Sequence, residues 1–262
     1  MFGVILCVKW GVALAGIIND LHIPFHDPRA INLALSVFKD VGIDTLYING
    51  DLVDFYAINF HGPKHPIVGS HLEDEISQTR LWLKRFKDEL PGVDIHYVFG
   101  NHEHRLERFI LAHAKALYGY VSLDKLLELD RLKIKWTPYN QRVRVLGSDV
   151  FIQHSPPSYG KSGSMTSLEK DVDQTTIYGC THREQKSTRT GKSGQVYYCY
   201  FNGWLGSTTL SPEHTEVFSY AKGHESWQQC FALVGVDKGQ GFVEQVSIQN
   251  HKCVYGGYVF YG

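Results

Sequence analysis

The chain has 262 residues, 43% of them hydrophobic and 20% charged, a composition that excludes a disordered chain and suits one core burying about 70–75% of the unfolded surface. Its 26 Lys and Arg against 27 Asp and Glu leave a formal net charge of -1, which excludes global attraction to nucleic acid or an anionic membrane. A phosphate-bearing partner must therefore be gripped locally.

Residues 1–18 (MFGVILCVKWGVALAGII) lack a basic leader and a small-residue cleavage site, and Lys9 interrupts the apolar run, so they read as the start of the fold and not as a secretory signal. No run approaches the ~20 apolar residues of a membrane span. Strands are expected at Val12–Ile18, Thr45–Asn49, Ile95–Phe99, Val150–Gln153 and Thr175–Tyr178, from their length, β-branching and aromatic content. Between them Asp27 is the N-cap of a helix opening on Pro28, with Ile31, Leu35, Phe38 and Val41 on one stripe. A second helix carries Leu72, Ile76, Leu83, Phe86 and Leu90, and a third spans Leu106–Leu117, while 62–69 (GPKHPIVG) reads as a loop. After Gln195 aromatic and β-branched runs predict the strands of a second, more antiparallel sheet within 195–262, closing the same single domain, 1–262. The alternation of strand and helix argues for an α/β layered fold.

Each of the five strands ends in a polar cluster: Asn19-Asp20-Leu21-His22, Gly50-Asp51-Leu52-Val53-Asp54, Gly100-Asn101-His102-Glu103, His154, and Gly179-Cys180-Thr181-His182. Ligands of α/β sheets gather beyond the carboxyl ends of strands. Carboxylate, imidazole and amide oxygen delivered there suit a pair of transition-metal ions, Mn, Fe or Zn, better than calcium. Two such ions can share a carboxylate and clamp the oxygens of a phosphate for in-line attack.

The motifs D20-x-H22, G50-D51-x-x-D54, G100-N101-H102-E103, H154 and G179-x-x-H182 resemble, in order and spacing, the calcineurin-like metallophosphoesterase superfamily. The run GNHEHRLERFIL and the ending THR are similar to a branch common in bacteriophages and prophages, which implies the cytoplasm of a bacterial or infected cell. The resemblance implies a four-layer α/β/β/α sandwich and hydrolysis of a phosphate ester by a hydroxide held between two divalent ions. Carried over by position, Asp20, His22, Asp51 and His182 would hold the first metal, Asp51 would bridge, and Asn101, His154 and Cys180 would complete the second. His102 would protonate the leaving oxygen, with Asp54 in support.

Two departures bear on chemistry. Cys180 stands where the family has histidine; as a thiolate it is a competent ligand that biases the site toward Zn or Fe and removes one positive charge, and as a thiol it would be a small buried residue with the second site weak. Phe55-Tyr56 stand where the superfamily's protein phosphatases carry Arg-Gly, which puts phosphodiesters, of nucleic acid or a nucleotide, ahead of phosphomonoesters. Arg105 and Arg183 are candidate phosphate contacts, since guanidinium forks match phosphate oxygens. The rival is a non-catalytic interaction scaffold of the same fold, against which stand the retained His102 and ligand set. Tyr197, Tyr198, Tyr200, Phe201 and Trp204 read as sheet packing in preference to a base-stacking platform, because no basic stripe accompanies them. The widely spaced Cys7, Cys180, Cys199, Cys230 and Cys253 form no CxxC pair, which argues for a reducing compartment. The oligomeric state is not set by the sequence.

Overall fold

The computed structural model describes residues 12–59, 71–171, 174–207 and 224–262. Residues 1–11 and the 62–69 segment read above as a loop lie outside them.

The expected elements form with small shifts at their ends. Strand β1 (Ala13–Ile18), helix α1 (Pro28–Val41), β2 (Thr45–Asn49), α2 (Leu72–Glu89), β3 (Asp94–Val98) and α3 (Glu103–His113) follow in order. Next come α4 (Leu123–Leu126), β4 (Lys135–Thr137), β5 (Val143–Arg144), β6 (Val150–Gln153), α5 (Gly163–Lys170) and β7 (Thr175–Tyr178). The chain closes with β8 (Gln185–Thr190), β9 (Val196–Phe201), β10 (Gln229–Asp237), β11 (Gln240–Ile248) and the pair β12 (Lys252–Tyr255) and β13 (Tyr258–Tyr261). Asp27 caps α1 as expected, its carboxylate accepting from the amides of Arg29 and Ala30 at 2.9 and 3.2 Å, and Gly42 ends the helix in the left-handed region.

Two large sheets form, one in the order β11-β10-β1-β2-β3-β4 and one in the order β5-β6-β7-β9-β8, beside the two-stranded pair β12-β13. The period of two along each strand sets the layers. In the first sheet Ile18, Leu46, Ile48, Ile95, Phe231 and Leu233 pack with α1, α2 and α3, through Phe38, Phe86 and Ile110 among others. The alternate residues Ile17, Tyr47, Val98, Ala232 and Val234 face the second sheet and meet Val150, Ile152, Ile177 and Tyr200. On the far side of that sheet Tyr178, Cys199 and Phe201 pack with Leu168 of α5. The result is helix, sheet, sheet, helix, the four-layer α/β/β/α sandwich.

The placement of 195–262 in the second sheet needs correction. Among the described residues of this stretch only β9 joins it; β10 and β11 extend the first sheet, with β10 antiparallel to β1, and β12 and β13 form a separate two-stranded sheet. The physical reason is that Cys230 through Val234 are buried on both faces, which suits a strand between the helix layer and the second sheet. Tyr200, Phe201 and Trp204 are buried, in keeping with the packing reading of the aromatic run. The four described cysteines are free thiols, and among the described residues no helix is long and apolar enough to cross a membrane.

Candidate metal centre

The parallel strands β1, β2 and β3 of one sheet and β6 and β7 of the other end at the same edge. Asn49, the last residue of β2, ties the sheets there: its side-chain amide donates to the carbonyls of Gln153 (3.2 Å) and Ile177 (3.4 Å). Beyond this seam the chain turns sharply, and five of the expected ligands, Asp20, His22, Asp51, Cys180 and His182, have positive φ of 53, 53, 50, 66 and 55°. Such backbone costs of the order of 1–3 kcal/mol per residue outside glycine. Interlocking of the turns holds it in place, for the amide of Asp20 donates to the Gly50 carbonyl and that of His22 to the Asp51 carbonyl. The motif glycines permit this approach: a Cβ on Gly50 would stand 2.3 Å from His154 Nδ1, and one on Gly100 would stand 2.2 Å from Asp51 Oδ1.

The side chains converge in two groups. Ligand atoms of Asp20, His22 and His182 lie within 4.8 Å of one another, as do those of Asp51, His154 and Cys180. Asn101 joins the second group, its Oδ1 standing 3.0 Å from His154 Nε2 and 2.9 Å from Cys180 Sγ. Asp51 faces both: its Oδ2 is 3.2 Å from His154 Nε2 and 4.0 Å from His22 Nε2. The structure thus brings all seven expected ligands together, the cysteine included.

These residues fit cations. Asp20 Oδ1 is buried and accepts no hydrogen bond, although Nε2 of His182, His22 and His154 lie 3.4, 3.7 and 4.0 Å away. His22 and His182 point their Nε2 atoms at each other across 3.0 Å. Outer partners set the tautomers, with His22 Nδ1 on Asp54 Oδ2 at 3.0 Å and His154 Nδ1 on the Asn49 carbonyl at 2.7 Å. Each ring therefore turns its Nε2 inward, the arrangement found around metal-ligating histidines.

The carboxylates and imidazoles of the site set one another's protonation. Burial pushes the His22 imidazole down, but the Asp20 and Asp54 carboxylates outweigh it and lift it to about 10. His154 is raised too, because Asp51 and Cys180 outweigh burial, whereas burial keeps His182 low. Burial raises the carboxylic acids, yet the histidines around them hold Asp20, Asp51 and Asp54 below the usual carboxylate range. Metal binding at such a site has to displace the imidazolium protons.

His102 lies beside both groups, its Nε2 3.6 Å from Asp51 Oδ2 and its Nδ1 2.8 Å from the Asp54 carbonyl. Arg105 donates to His102 Nε2 at 2.7 Å and to the Asp54 carbonyl at 3.0 Å, which puts a guanidinium at the edge of the site. Arg183 instead donates to the carbonyls of Gly160 and Tyr159 and clamps the loop after β6. At the positions after Asp54, Phe55 and Tyr56 are buried and present no cation.

The model of the calcineurin-like phosphoesterase family matches residues 15–227. This chain belongs to that family. Among curated proteins it is similar to the Gene 54 protein of Mycobacterium phage L5, 25% identical over 244 residues that cover 84% of this chain and 88% of that protein. Among solved structures it is similar to the phosphoesterase YfcE of E. coli, with 16% identity, a TM-score of 0.42 and coverage of 90% of this chain and 100% of that one. It is also similar to Vps29 of Chaetomium thermophilum bound to a cyclic peptide, with 13% identity, a TM-score of 0.45 and coverage of 91% and 89%.

Other residues, which the motif reading left without a role, support the candidate site. Glu103 is buried and accepts five hydrogen bonds: from the amides of Asp51 (2.9 Å), Leu52 (2.8 Å), Val53 (3.2 Å) and Gly100 (2.6 Å) and from the Tyr97 hydroxyl (2.5 Å). It clamps the Gly-Asp loop to the Gly-Asn-His loop, and its place directly after His102 was the available signal. Asn19 and Asn202 pair across the sheets at 2.6 Å, with Asn19 also reaching Asp20 Oδ2 at 2.5 Å. Trp204 stacks on His182 with ring centroids 5.0 Å apart, and Trp227 meets its edge at 4.2 Å. Asn202, Trp204 and Trp227 lie outside every motif, so local spacing carries no sign of them.

Proposed function

We propose that the chain hydrolyses phosphodiesters with two bound divalent transition-metal ions, Zn or Fe favoured by Cys180. What carries the reading is the meeting of two ligand groups on Asp51 with His102 beside them. Asp20, His22 and His182 would hold one ion, Asn101, His154 and Cys180 the other, and Asp51 both. When bound, the ions supply Lewis acidity toward the phosphate and a nucleophile at neutral pH.

The protein's own groups do the rest. Asp54 orients His22 through Nδ1 and, by its carbonyl, anchors His102 Nδ1. To protonate the leaving oxygen, His102 must carry its proton on Nε2, the atom that Arg105 now donates to. A phosphate that draws the guanidinium onto its own oxygens releases that nitrogen, so substrate binding and readiness of the acid are linked. The diester preference follows from charge. Asp20, Asp51, a Cys180 thiolate and the hydroxide nucleophile would be four negative charges against two divalent ions, and a site with no surplus positive charge suits the single negative charge of a diester better than the two of a monoester. The absence of a cation at Phe55 and Tyr56 acts in the same direction, because a monoester dianion asks for more.

The test is turnover of bis(p-nitrophenyl) phosphate and p-nitrophenyl phosphate with Mn, Zn or Fe(II) added. The diester is expected to turn over faster, and His102→Ala to lose about 10²–10⁴-fold in kcat with metal content retained. No turnover of either ester, with no bound metal, would leave the scaffold reading in its place.

A further inference from the structure

Beside the metal centre, α3 and the segments 118–124 and 136–139 enclose a cavity of about 330 Å³, within the size range of small-ligand pockets. Its wall is mainly apolar and aromatic, including Phe99, Trp136 and Tyr139. Trp136 stacks on Phe99 with centroids 5.1 Å apart and 6° between the planes, and 38% of its surface is exposed. The charged residues on the wall are acidic: Glu103, which the Asp51 loop occupies, with Glu107 and Asp124. Glu107 is aligned by His104 Nδ1 at 3.1 Å and the Tyr118 hydroxyl at 3.2 Å. Such a wall repels phosphate and suits a flat, uncharged ring with N–H donors.

The cavity adjoins the loops that carry His102 and His154. Tyr139 reaches Ser155, the residue after His154, at 3.0 Å between hydroxyls. His104, two residues after His102, stacks on the Tyr139 ring at 5.1 Å. Tyr139 thus stands between the pocket and the loops that carry His102 and His154, the side from which a substituent of a bound phosphate ester would approach.

We propose that this cavity seats a nucleobase of the substrate, one bearing an exocyclic amino group such as guanine, stacked on Trp136 with its N–H groups directed to Glu107 and Asp124. The proposal rests on the phosphoesterase reading for its link to catalysis, but base binding stands on the cavity alone. Guanine presents two adjacent N–H donors that match one carboxylate bidentately, and thymine has no amino group to offer. The seat selects the class of diester: nucleotide or nucleic acid, with preference set by the base.

The experiment measures binding of guanosine and of thymidine to the full-length chain without added metal, by ligand-observed NMR titration. Guanosine is expected to bind at least about tenfold more tightly than thymidine. Trp136→Ala should weaken guanosine by about tenfold or more, the usual size of a lost stacking platform. Glu107→Gln, an isosteric change on a half-exposed residue, should weaken guanosine and leave thymidine unchanged. Equal binding of the two nucleosides, or guanosine binding indifferent to both substitutions, would overturn the seat. Because no turnover enters the readout, a chain that hydrolyses the nitrophenyl diester but binds neither nucleoside overturns the seat and keeps the esterase. A chain that binds guanosine selectively but hydrolyses nothing upholds the seat and sinks the esterase.

Discussion

Replacing Glu103 by glutamine changes one atom of a buried side chain and tests the interlocked turns directly. Oε1 accepts from the amides of Leu52 and Val53 and the Tyr97 hydroxyl, and Oε2 from the amides of Asp51 and Gly100. A glutamine keeps one acceptor oxygen, best placed on the Leu52 side where the tyrosine hydroxyl also sits. Its NH2 then confronts the N–H groups of Asp51 and Gly100, donor against donor. Two bonds to a charged acceptor are lost, each worth about 1.5–3 kcal/mol. Burial and the neighbouring Asp51 disfavour the Glu103 carboxylate and raise its pKa, so its removal returns part of that. The net is a loss of roughly 3 kcal/mol. Urea unfolding followed by circular dichroism should show the midpoint falling by about 1 M or more with an unchanged slope. Because Asp51 is displaced with its loop, metal content should fall as well. A variant within about 1 kcal/mol of wild type that binds metal normally would refute the idea that Glu103 holds the two loops in register.

Cys180→Ser should lower bound metal from two ions to one per chain by elemental analysis, and unchanged stoichiometry with unchanged activity would remove the cysteine from the ligand set. His26 provides a pH dependence outside the proposed ligand set: burial against Trp82, centroid distance 4.9 Å, pushes its imidazole down to about 4 from 6.5. The unfolded chain then takes up the proton first, so stability present above pH 6.5 is lost as the pH falls toward 4, by roughly 3 kcal/mol. His26→Phe, which keeps a ring on Trp82, should flatten that part of the stability–pH curve; an unaltered slope between pH 6.5 and 4 would show that the imidazole is not held neutral.

Much of the site was legible in the chain because the polar clusters stand at the ends of short buried strands, and such strands announce themselves by composition. The expected set Asp20, His22, Asp51, Asn101, His154, Cys180 and His182 came from the order and spacing of the motifs and the family resemblance they carry. Arg183 follows His182 directly, yet its side chain leaves the turn toward the carbonyls of Tyr159 and Gly160. Trp204 and Trp227 were invisible as site residues because they reach His182 through the return of the chain along the sandwich.

By itself the sequence marked the strands and the polar clusters at their ends. Alternation along the strands dictates which faces are buried, and the residue types at their ends suit divalent metals. It did not decide where the late strands go: β10 is apolar on both faces, and only its pairing with β1 places it in the first sheet. Nor did it show what keeps the ligand turns in place. Glu103 is read by the amides of Asp51, Leu52 and Val53, about fifty residues earlier, and a hydrogen bond of that separation exists only once both loops have been brought to the same edge of the fold.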